Sequence, residues 1–94
     1  GSARANLKGE VNMLTKQNLN NTFDSAIKEN AGYVGVKVSA EGIEECIVIP
    51  SKSFGDKRSF YNRAYTDELI HSMNSKVKIV GFTHGDWSDI KELI

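Results

Sequence analysis

The segment His84-Gly85-Asp86-Trp87-Ser88-Asp89 brings together the side chains best suited to acid–base chemistry. An imidazole two residues from a carboxylate, on a loop at a strand end, can move protons. The same groups could ligate a metal, but His84 with Asp86 or Asp89 supplies fewer than the usual three or four donors. His71 has no spacing that links it to His84. A simpler assignment has Gly85 make a turn and Asp86 or Ser88 cap a closing helix. Cys46 lies mid-strand between Glu45 and Ile47 and lacks the cationic neighbour of a reactive thiol. Ser51 and Ser53 flank Lys52 without a Gly-x-Ser-x-Gly elbow, and the scattered glycines form no phosphate-cradling loop. The chain is therefore expected not to be an enzyme and to use no metal or cofactor.

Recognition is better served. Between Lys52 and Arg63 stand four basic side chains and one acidic one, interleaved with Phe54, Phe60 and Tyr61. Such a mixture suits phosphates and stacked bases, and equally the anchors of a protein interface. Helical spacing places Tyr61 and Tyr65 beside Ala64 and Leu69, towards a core. Lys57, Arg58 and Arg63 remain as candidate partner contacts, with Trp87 after its Gly-Asp turn as a second anchor. Acidic residues gather at Glu41, Glu44 and Glu45, and again at Asp86, Asp89 and Glu92. They read as solvated faces or as a row presented to a basic partner.

The elements that position these groups follow from apolar spacing. Leu19, Phe23, Ala26 and Ile27 mark a helix from about Lys16 to Asn30, with Thr15 as N-cap, Leu14 and Leu19 as a staple, and Gly32 just past the end. Tyr33 to Val38 and Ile43 to Ile49 read as a hairpin with a four-residue loop, Ser39-Ala40-Glu41-Gly42. In that register Val38 faces Ile43, Val34 faces Ile47, and Lys37 forms a cross-strand pair with Glu44. Pro50 ends the strand, and Ser51 to Asp56 form a loop. Asp56 caps a helix over Lys57 to Met73, which Thr66-Asp67 could divide in two. A strand over Lys76 to Thr83 and a helix over Ser88 to Ile94 complete an α+β domain of order αββαβα.

The helical connection makes the second and third strands parallel neighbours. Apolar residues on both faces of Cys46-Ile47-Val48-Ile49 place the second strand at the centre. The expected fold is a three-stranded mixed sheet with helices on one face.

At 94 residues, with 39% hydrophobic and 26% charged residues, the composition is that of one ordinary globular domain. Twelve basic and twelve acidic residues cancel, so no overall field draws the molecule to nucleic acid or an anionic membrane. One cysteine suits a reducing cytoplasm, and no apolar run approaches a membrane span. Residues 1–12 read as a vector remnant or flexible arm, with Met13 as the native start of a domain over 13–94. The monomer and the homodimer both stay open.

Phe54, Lys57, Phe60-Tyr61, Ala64-Tyr65 and Leu69, then Lys78-Ile79-Val80-Gly81-Phe82 and Gly85-Asp86, form a pattern over roughly 13–94. Met13-Leu14-Thr15-Lys16 and the strand Tyr33 to Val38 belong to it. The pattern resembles short open reading frames of Gram-positive prophages and integrative elements. The resemblance implies that mobile-element setting, whose frames generally lack an assigned activity and in which some small proteins, anti-CRISPR proteins among them, block host defences by occupying a surface of a larger complex. It carries over no functional residue. The expected function is non-enzymatic contact with a host or phage protein, inhibition of a defence complex such as CRISPR–Cas included, with nucleic-acid binding through residues 52–65 as the alternative.

Overall fold

A computed structural model describes residues 14–94; the expected arm over 1–12 and the start at Met13 lie outside the described residues. The first helix, α1 (Lys16–Lys28), begins where Thr15 accepts a bond from the Asn18 N–H. It ends through Asn30, which takes the left-handed conformation (φ 56°) in place of the expected Gly32. Leu19, Phe23 and Ala26 form its buried stripe.

Strands β1 (Tyr33–Ala40) and β2 (Ile43–Pro50) form the hairpin. Its turn is two residues long, because Glu41 (φ 52°) and Gly42 (φ 87°) both adopt left-handed values. Such a turn matches the natural twist of paired strands. The ladder therefore extends to Ala40↔Ile43, and Val34 pairs with Ile49 instead of Ile47. This two-residue shift leaves each side chain on its expected face. Lys37 lies opposite Cys46 and reaches Glu44 diagonally, at 3.6 Å.

A 3-10 turn (Ser51–Ser53), an element missing from the expected order, leads into α2 (Phe54–Ala64). Asp56 thus falls inside the first turn of α2 and does not cap it. The helix stops at Tyr65, well before Met73, because the chain turns back through Leu69 at φ 66°. The return segment then bonds β3 (Val77–Gly85): His71 N–H donates to Val77 O at 2.8 Å, and Ile79 N–H to Leu69 O at 2.9 Å. A one-turn helix, α3 (Trp87–Ile90), follows.

The sheet order is β2-β1-β3, and both ladders are antiparallel. This corrects the expected mixed sheet. Strands β2 and β3 do run in the same direction, but β1 lies between them. The misreading has a clear origin in Gly35, which is buried on β1 yet adds nothing to a hydrophobic count. Most of β2 is exposed or half-exposed, as an edge strand should be.

Helices cover both faces of the sheet, a second correction. On one face Val34, Val36, Ile49 and Ile79 pack with Leu19 and Phe23 of α1 and with Phe54 and Tyr61 of α2. Phe23 meets both Phe54 and Tyr61 with ring centroids 6.2 Å apart. Contacts of this kind add to the stabilisation from buried area. On the other face, Ile90 and Leu93 approach Gly35, and Leu93 also approaches Gly81. Both positions lack a side chain, so the short α3 can lie directly on the backbone of the sheet.

Candidate functional site

The acid–base segment does not converge. His84 Nε2 lies 3.0 Å from Glu29 Oε1, at the end of α1. Asp86 and Asp89 are engaged with the start of α3 instead. Asp86 Oδ1 accepts from the Ser88 N–H and hydroxyl at 3.1 and 2.6 Å, and Asp89 Oδ2 accepts from the Asp86 N–H at 3.0 Å. This is a reciprocal capping box. Hydrogen bonds from Ser88 and from the Asp89 region hold the Asp86 carboxyl below the usual carboxylate range. Among the described residues no group of three or more His, Cys, Asp or Glu side chains could hold a metal ion.

His71 stacks edge-on against Tyr65, 5.1 Å between centroids, and is far from a catalytic arrangement with His84. The Cys46 thiol is half-buried, and burial pushes its pKa up against a smaller lowering effect of Lys37. A thiol shifted this way is a poor nucleophile at neutral pH. A groove of about 540 Å³ runs beside β3, lined by Asn18, Thr22 and Ser25 of α1 and by Val80, Phe82 and His84 among others. Among the described residues no carboxylate lines it.

The basic residues of α2 divide between two flanks. Arg58 and Asn62 face α1, where they meet Asp24 and Asn20. Lys57 sits over the Phe60 ring, 5.4 Å from its centroid, on the flank turned away from α1. Arg63 is exposed, with no ion pair among the described residues. Trp87 is 52% exposed, and its ring meets Tyr33 at 6.3 Å. It stands on the α3 side of the sheet, so it cannot share one flat surface with Lys57, Arg58 and Arg63.

The two edges of the sheet differ sharply. At β3 the segment Leu69 to His71 bonds the outer side, and a register shift opposite Lys37/Val38 twists the strand. Bulges and covering segments of this kind protect sheet edges from association. At β2, among the described residues, neither device is present and no backbone bond closes its outer side. Ile43 is 74% exposed there, with Ile47 on the same face, and Phe60 is exposed on α2, the helix that contacts β2. Glu41, Glu44 and Glu45 are exposed along the same margin. Charge spacing announces the acidic row in the sequence. The open edge is not announced, because Cys46 to Ile49 puts apolar residues on both faces of β2, as a central strand does.

Comparison with protein families, curated proteins and solved structures finds no match for this chain. Among the described residues, no helix is long and apolar enough to cross a membrane.

Proposed function

We propose that this chain is a non-enzymatic binding protein that acts by stoichiometric contact with another protein through the β2 margin and the flank of α2 above it. One observation carries the reading: an eight-residue edge strand whose outer side no described residue bonds, with Ile43 and Ile47 exposed on it and Phe60 exposed on α2, which contacts β2. Apolar side chains of this size beside free backbone groups gain most when a partner covers them. Lys57 belongs to this surface. Arg58 is occupied by Asp24, and Trp87 lies on the opposite side of the sheet.

The resemblance to prophage frames supports a host or phage protein as the partner, and a bacterial defence complex such as CRISPR–Cas is the most specific version. Nucleic-acid binding through residues 52–65 is less favoured, since Arg58 is tied to α1 and Lys57 to Phe60. Quantitative capture from a bacterial lysate with the wild type and with Ile47→Arg tests the proposal. A protein recovered by the wild type should be lost with the variant. Equal recovery by both would remove the β2 margin from the interface.

A further inference from the structure

Resting on the protein-contact reading above, we infer that the partner binds as an added β-strand along β2, an extended segment that carries both basic and apolar side chains. The hairpin turn decides which backbone groups are available. In a two-residue turn of this type the flanking residues, Ala40 and Ile43, exchange both backbone bonds. Bonded pairs then alternate with unbonded ones along the ladder. Glu45, Ile47 and Ile49 bond to β1, while Glu44, Cys46 and Val48 turn their N–H and C=O groups outward.

The same alternation carried across β1 aims Val77 and Ile79 of β3 outward, and these are the residues that bond His71 and Leu69. The phase is therefore correct on the side where it can be checked. Pro50 falls on the outward phase too, where its missing N–H costs no ladder bond and ends the receptive stretch.

Charge decides the kind of strand. Of Glu41, Glu44 and Glu45, only Glu44 has an ion-pair partner among the described residues, Lys37 at 3.6 Å. A second copy of this chain would bring two such acidic margins together, and like charges on facing strands repel. A strand with one basic side chain on the Glu45 face and others on the Glu44 face neutralises the margin. Its apolar side chains cover Ile43 and Ile47, and its backbone completes the bonds of Glu44, Cys46 and Val48. Main-chain bonds supply affinity in this mode and alternate side chains supply specificity.

The probe is an end-blocked peptide matched in length to β2, with lysines on one face and a lysine between two valines on the other, titrated into isotope-labelled protein. Shift changes and slowed amide exchange are expected at Glu44, Cys46 and Val48. Methylating the peptide's alternate backbone nitrogens, or replacing its lysines by glutamate, should each weaken binding by about tenfold or more. Cys46→Pro removes an outward N–H without breaking a β1 bond and should abolish binding, while Cys46→Ala preserves it.

Equal binding of the methylated peptide, retention by Cys46→Pro, changes centred on Phe82 and His84, or no binding at all would overturn strand addition. So would concentration-dependent protection of the same amides without peptide, which marks a homodimer. The protein-contact reading fails separately, on equal capture by the wild type and Ile47→Arg.

Discussion

Arg58 reaches from α2 to Asp24 on α1 with two parallel bonds, Nε to Oδ1 at 2.9 Å and Nη2 to Oδ2 at 3.0 Å. Both side chains are partly exposed, 38% and 56%, so water competes for the pair. Removing it through Arg58→Ala should cost about 1 kcal/mol or less. The loss should shrink at high salt, where exposed charges are screened. Urea denaturation at two ionic strengths checks both statements. Arg58→Lys keeps the charge but not the two-bond fork and should fall between the wild type and Arg58→Ala.

Adding a methyl group to the α3 side of the sheet should have unequal effects at its two glycines. At Gly35 a Cβ would lie 3.2 Å from both Ile90 Cγ2 and Leu93 Cδ2, and Ile90 is fully buried with little room to move. Gly35→Ala should therefore cost about 1–3 kcal/mol, the usual range for overpacking. At Gly81 the close neighbour is Leu93 Cδ1 alone, on a half-buried side chain that can turn aside. Gly81→Ala should change stability by less than about 1 kcal/mol. Thermal unfolding of the two variants measures the contrast.

The cap of α3 should fail in acid. Ser88 is the largest influence holding the Asp86 carboxyl below its ordinary value of 3.8. A carboxylate with a depressed folded-state pKa stabilises the fold above the unfolded value, and loses that contribution as pH falls through the folded one. Trp87 fluorescence should therefore report release of α3 below pH 3.8. Ser88→Ala should move the transition to higher pH. An unchanged midpoint in that variant would assign the acid transition to other carboxylates.

Alkali should act through the core. Burial, then the nearby Tyr65 and Cys46, push the Tyr61 hydroxyl up to about 12 from 10.0. Its protonated form is thus favoured in the folded chain. The associated stability is complete below pH 10 and declines as pH rises from 10.0 to about 12. Tyr61→Phe removes the ionising group and should flatten that decline, leaving a smaller one from Tyr65, whose pKa burial also raises. Denaturant midpoints of wild type and variant across this range give the difference directly.

Local signals made much of this fold readable. Thr15 caps α1, Asp86 caps α3, and the faces of the hairpin are those given by Val34, Val36, Ile47 and Ile49. The rest depended on contacts between distant segments. Nothing near Thr66 to Asn74 shows that this stretch returns along β3, because its bonds go to residues in the next element. Gly35 and Gly81 gave no hydrophobic signal, although their missing side chains admit Ile90 and Leu93. The basic segment was visible by composition, but its division by helical phase into an Asp24 flank and a Phe60 flank needed the position of α1. The open edge of β2 was invisible for the same reason: a strand's neighbours are not written in the strand.

With helices clothing both broad sides, this sheet can grow only laterally. A visitor arriving along the β2 rim extends the folded body without prising any of it apart. The interior that keeps the molecule intact and the rim proposed to recruit a partner are separate parts of the sheet, so substitutions on the rim can retune such an attachment and leave the fold alone.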